Sequence, residues 1–243
     1  MPTKTATLRK PILGTTNPTF AGARDATSGT VFTSPGGSAA TVHTNAVMYS
    51  KVAGARGNSF NINRYFIEFD TSDISVTPAD ATLQIPGSTN SSANFFAVKA
   101  TFSDGSLANG DFDAIDGWTA GADNSSNVTK YSSEVTSWST GAYNNITLNS
   151  TALSDMANND TFKICLIEAD FDLTNTAPSD TTVRRTGMSF ANDGEGNIRD
   201  PKIDYTEGSA VGYGHDVVGV AAANIGKIKG VATANVGKVI GVD

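Results

Sequence analysis

The chain holds a single cysteine, Cys165, so no disulfide can form within it. That cysteine lies in the apolar run FKICLIEA, where a buried, inert thiol is expected. There are only two histidines, His43 and His215, and neither stands in an H-E-x-x-H or comparable ligand spacing. No G-x-S-x-G elbow is present, and Gly194-Glu195-Gly196 is not followed by the Lys-Ser/Thr of a phosphate loop. With these signatures missing, the sequence predicts no enzymatic activity. Charge is also scarce: 17 Lys+Arg against 24 Asp+Glu leave a net −7, and no basic run interrupts it. Nucleic-acid binding needs clustered cations, so no nucleic-acid partner is expected. No apolar stretch approaches the ~18 residues that span a bilayer, so no membrane partner is expected either. The opening MPTKTATLRKPILGTTNPTF lacks the apolar core, about 7–15 residues long, of a secretory signal peptide.

What is abundant is Thr, Ser, Asn and Gly, with 24 glycines in 243 residues. Such a composition suits short strands joined by turns and suits a helical bundle badly. Runs of β-branched and aromatic residues recur at Thr41–Met48, Asn63–Asp70, Ala81–Ile85, Asn94–Phe102, Asn145–Leu148, Thr161–Glu168, Arg184–Phe190 and Lys202–Thr206. They predict a mainly-β fold, a jelly-roll β-sandwich over residues 21–206. Residues 1–20 carry Pro2, Pro11 and Pro18 and read as an extended arm with one strand at Thr5–Leu8. In the run Arg64–Asp70, alternation puts Tyr65, Ile67 and Phe69 on the core face and Arg64, Phe66, Glu68 and Asp70 on the other. In Phe162–Glu168, Phe162, Ile164 and Leu166 share one face and Lys163, Cys165 and Ile167 the other. One helix is expected from Ser150 to Met156, capped by Ser150 or Thr151 and ending near Asn158.

Past Glu207 the composition changes. GVAAANIGKIK (Gly219–Lys229) is followed by GVATANVGKVI (Gly230–Ile240) and then GVD, an internal repeat of eleven residues. A helical reading would place five glycines in helix interiors at about 1 kcal/mol each, so very short strands at Lys227–Ile228 and Lys238–Ile240 are favoured. So few residues cannot bury a core of their own. Residues 207–243 must therefore pack on the main domain, on copies of themselves or on another protein, and they read as an assembly segment of a homo-oligomer. Its contact residues are expected to be Val220, Asn224, Ile225, Ile228, Val231, Asn235, Val236 and Val239.

The body and the tail each carry a resemblance. Arg64, Phe69-Asp70, Ser72-Asp73-Ile74 and Ala81-Thr82-Leu83, then Val135, Thr136, Trp138, Gly141 and Leu148, with a closing Pro201-Lys202…Tyr205, resemble the DNRLRE-type jelly rolls close to carbohydrate-binding modules. The resemblance implies that Trp138 is a core residue. The tandem GV-x-x-A-N-[IV]-G-K-[IV] repeats resemble those that close virion proteins of marine tailed phages. That likeness implies a structural virion protein on a capsid, tail or appendage, assembled in the host cytoplasm alongside other virion proteins. The alternative is a carbohydrate-binding module that recognises a glycan, for a phage one on the host surface, through Trp118, Tyr131 and Tyr143. Asp111, Asp113 and Asp116 place three carboxylates on one short loop, a candidate for structural calcium, although the spacing is not that of an EF-hand. Asp170/Asp172 and the loop Asn192–Glu195 are weaker candidates of the same kind.

Overall fold

The computed structural model describes residues 1–32, 41–54, 57–190, 200–209, 227–228 and 231–232. Strands hold 47% of the described residues and helices 12%, so the architecture is mainly β, of the sandwich or jelly-roll type. The strands are β1 (Thr3–Gly14), β2 (Gly29–Val31), β3 (Thr41–Gly54), β4 (Gly57–Asp70), β5 (Asp80–Ser91), β6 (Phe95–Lys99), β7 (Tyr143–Thr147), β8 (Thr161–Glu168), β9 (Thr182–Phe190), β10 (Lys202–Thr206), β11 (Lys227–Ile228) and β12 (Val231–Ala232). Two helices join them, α1 (Phe20–Arg24) and α2 (Ser150–Asn158). No helix among the described residues is long and apolar enough to cross a membrane.

Ten strands form one sheet, and two of them change partners along their length. Thr3–Thr5 of β1 pair with β10, whereas Ala6–Leu13 pair with β4 across a register shift. Asp80–Gln84 of β5 pair with β10, and Gly87–Ser91 pair with β9. The path β1-β10-β5-β9-β3-β4 therefore returns to β1. Closing a sheet on itself removes the exposed edges that an open sheet would carry. β8 and then β6 extend the sheet from β4, and β7 hangs on β5.

The expected arm is thus part of this closure. Ala6, Leu8 and Ile12 alternate along β1 and are buried, which pulls the segment into the sheet. The three prolines of the first twenty residues do not prevent this. Pro11 pairs with Tyr65 by register, and its carbonyl accepts from Phe32 N–H at 2.9 Å.

Two apolar clusters flank β4 and β8. The inner cluster includes Tyr65, Ile67 and Phe69 with Ile164, Leu166 and Trp138. Trp138 is buried, as the resemblance implied, and meets Phe95 edge-to-face at 5.4 Å. The second cluster includes Phe60, Ile62 and Phe66 with Cys165, Ile167 and Phe112. The alternation expected for both strands holds, but both faces are buried. The expectation that Arg64, Phe66 and Glu68 face outward is therefore corrected: each is 3% exposed or less. Loops fold over the outer face of the sheet and cover them.

α2 forms where expected, with Ala152 and Met156 inward. Its cap is Asn149, one residue before the expected hydroxyls. The Asn149 carbonyl oxygen accepts from Ala152 N–H at 3.1 Å while its amide donates to Lys130 O at 2.8 Å. A serine or threonine hydroxyl is too short to serve both ends.

Candidate functional site

The most heavily charged buried cluster lies on the outer face of β4. There Arg64 stands between Ile62 and Phe66, on a strand face that also carries the buried Glu68. Three covering segments converge on it. α1 brings Arg24, the loop after β6 brings Phe112 and Trp118, and a single π-helical turn, Ala169–Leu173, brings Asp172. Arg64 forks onto Asp172, with Nε and Nη2 donating at 2.9 and 2.8 Å. Its remaining donors reach Phe112 O at 2.8 Å and Arg24 O at 3.1 Å. The guanidinium plane is held between Phe112 and Trp118, 4.3 and 4.1 Å from the ring centroids. Arg24 donates to Asp172 O (2.6 Å), Asp25 (2.7 Å) and Ala122 O (2.7 Å).

Local chain geometry serves this cluster. Gly117 has φ +78, and a Cβ there would lie 2.0 Å from Asn127 O, so only glycine allows the turn that delivers Trp118. The π turn is held by Glu168, whose carboxylate accepts from the backbone N–H groups of Asp170, Phe171 and Asp172 at 2.8–3.1 Å. Burial pushes the Glu168 carboxyl up to about 7, against the pull of those three donors. Burial likewise lowers the Arg24 pKa. For Arg64 burial works in the same sense, but Asp172 more than offsets it and the net shift is upward. Arg24, Arg64 and Asp172 are each 0% exposed. With no open face and every charge answered, this arrangement fastens three loops to the sheet and presents nothing to a ligand.

Two of the cavities that open to solvent are lined by expected site residues. One of about 450 Å³ is lined by Lys99, Tyr131 and Lys163 among others. Its cations are engaged: Lys99 pairs with Asp155 at 2.9 Å, and Lys163 pairs with Asp104. The other, of about 560 Å³, lies between segment 132–137 and β7 and is lined by hydroxyl and amide side chains.

The expected site residues are scattered. Tyr131 is 1% exposed and donates to Asp155 at 2.6 Å, so it offers no face for stacking. Trp118 is half-buried under Arg24 and Arg64. Tyr143 is half-buried, its hydroxyl donating to Asp200 O at 2.9 Å, and it lines the 560 Å³ cavity. The three aromatics do not form one platform.

The three loop carboxylates also go separate ways. Asp111 accepts from Ala108 N–H at 2.7 Å and caps a 3-10 turn. Asp116 accepts from the Thr129 hydroxyl at 2.5 Å, and Asp113 lies toward Arg64. Asp172 is taken by Arg64 and Asp170 by Arg184 at 2.8 Å. Among the described residues no three His, Cys, Asp or Glu side chains are grouped to hold a metal ion. Asp111→Asn combined with Asp116→Asn is therefore expected to leave the response of the melting curve to calcium or EDTA unchanged, as differential scanning calorimetry would record.

Cys165 is buried, as expected, and burial raises its thiol pKa. The side chain of His43 lies outside the described residues, as do His215, the loop 192–195 and most of the repeat. No protein-family model matches the chain, and none of the curated proteins matches it.

Proposed function

We propose that this chain is a non-enzymatic structural component of a tailed-phage virion. Its mainly-β body is displayed on the particle, and the C-terminal repeat is the assembly element that joins copies to one another and to other virion proteins. The observation that carries this reading is the repeat and its one described feature. β11 closes the first copy and β12 opens the second, and they pair with each other in the register Lys227↔Ala232 and Ile228↔Val231. This hairpin forms a sheet separate from the ten-stranded one. Of the two strands expected from the sequence, the one at Lys227–Ile228 is present; Lys238–Ile240 and the contact residues Val220, Asn224, Ile225, Asn235, Val236 and Val239 lie outside the described residues.

A ladder of two residues per strand has too few hydrogen bonds and too little apolar burial to persist alone. It gains stability by packing on another surface, and repeated units supply that surface for one another. The body needs no such help: its closed ring lies within residues 3–206 and both apolar clusters within residues 6–205. The form of the repeat supports the virion setting. Deleting Gly214–Asp243 is expected to abolish self-association in light scattering and incorporation into particles. A deletion variant that keeps both would overturn the reading.

A further inference from the structure

The path of the ten-stranded sheet ends at β6, and segment 132–137 continues it: Val135 exchanges both backbone hydrogen bonds with Phe95, at 3.2 and 2.8 Å. That exchange turns the backbone groups of Glu134 and Thr136 away from β6. β7 lies outermost beside β5. Leu148 N–H donates to Ala81 O at 3.0 Å and Gly87 N–H to Ala142 O at 2.9 Å, so even-numbered residues carry the hydrogen bonds to β5. The backbone groups of Asn145 and Thr147 point the other way, and none of the described residues takes them up. The two free edges face each other across the cavity of about 560 Å³, and they are pinned together at its ends. Asn149 N–H donates to Tyr131 O at 2.9 Å, and Asn144 exchanges hydrogen bonds with Ser139 at 2.7 and 2.9 Å. Between the pins β7 turns only Asn145 and Thr147 outward, so this slot suits a very short strand and excludes a long one.

We propose that this slot receives the strand Lys227–Ile228 of a second copy, as a short strand added to β7. The proposal rests on the reading of the repeat as the assembly element and names the surface on which it docks. β11 is two residues long, which matches the two outward residues of β7. β12 takes one edge of β11, and no described strand takes the other. The sequence sets Gly226 just before this strand and Gly230 shortly after it, and glycine lets a chain turn sharply into and out of a narrow opening. Charge matches as well. Residues 217–242 carry Lys227, Lys229 and Lys238 and no acid, whereas residues 1–216 hold 14 Lys+Arg against 23 Asp+Glu, a net of −9. The slot is lined by Glu134 and by no Lys, Arg or His, so a basic segment is favoured over an acidic one. Each docked repeat would tie one body to the next through backbone groups that the lone chain leaves unpaired.

The test uses full chains with one added cysteine each, because Cys165 is buried and does not compete. A Thr147→Cys chain is mixed with an Ile228→Cys chain and treated with a short bismaleimide. Peptide mass spectrometry is expected to find positions 147 and 228 joined between two chains. Val52→Cys, at an exposed position of β3, is expected to give no such product with Ile228→Cys. In otherwise native chains, Thr147→Pro removes an outward N–H and no bond to β5, as an edge strand allows. It is expected to weaken self-association about tenfold or more in sedimentation equilibrium. Glu134→Lys, at an exposed position, is expected to weaken it about threefold. A native melting temperature reports that each variant is folded. A native chain that self-associates, but shows no 147–228 product or keeps its affinity in both variants, overturns this docking site and leaves the assembly reading standing. A native chain that stays monomeric overturns both. A Thr147→Cys/Ile228→Cys chain that cross-links only within itself overturns the second copy as the occupant.

Discussion

Arg64→Ala is expected to lower the stability of the body by about 3–5 kcal/mol, the range for removing one member of a buried ion pair. The change would leave the Asp172 carboxylate at 0% exposure without its forked partner. It would also leave the carbonyls of Phe112 and Arg24 short of a donor and open a gap between Phe112 and Trp118. Domains of this size are stable by only about 5–15 kcal/mol, so the loss is a large share of the total. The melting temperature should fall by about 10 °C. Arg64→Lys should fall between Ala and the native residue, because a point charge cannot reproduce the fork or the stacking. Arg64→Met combined with Asp172→Leu should recover most of the loss, since an apolar pair leaves no stranded charge. Urea unfolding of the three variants measures this. An Arg64→Ala midpoint equal to the native one would show that the cluster fastens nothing.

The second large effect is a pH dependence set by Glu168. Its carboxyl titrates at about 7 in the folded chain against an ordinary value of 4.5. An acid whose folded pKa is raised binds its proton more tightly in the folded state. Its stabilising contribution is complete below the unfolded pKa and is lost as pH rises through the folded one. Each tenfold difference in proton affinity between the folded and unfolded chain is worth about 1.4 kcal/mol. Stability should therefore fall by about 3 kcal/mol between the ordinary carboxyl value of 4.5 and pH 7. Burial is the largest cause and the charge of nearby Asp172 adds to it; both favour the protonated form. Glu168→Gln should flatten this part of the profile, because the amide does not titrate. Denaturant midpoints collected across that pH window would decide it: a native profile that rises with pH there, or a Gln variant with an unchanged slope, contradicts the assignment.

The strands are legible because their alternation is strong. The runs at Asn63–Asp70, Thr161–Glu168 and Lys202–Thr206 all lie in strands, and the odd–even split of β4 and β8 separates the two clusters. The burial of Arg64 is not legible from that alternation. A period of two says which side chains share a face, but not whether loops distant in sequence return to cover it. Asp172 is 108 residues from Arg64, and the π turn that delivers it is set by three hydrogen bonds to one glutamate. The N-terminal strand is longer than its prolines suggest, because the buried Ala6, Leu8 and Ile12 outweigh them. The slot beside β7 is hidden for a different reason. The run Asn145–Leu148 reads as a strand, but only its register shows which of its backbone groups face away from β5.

The claim on which the functional account rests is that the repeat joins chains and the body does not. Sedimentation equilibrium on the full chain and on a chain ending at Ser209, in the same buffer, measures it directly. The account predicts that the full chain has a mass that is a multiple of 25.1 kDa, while the shortened chain is a monomer with an unchanged melting temperature. Two monomers, or two oligomers of the same order, would contradict it.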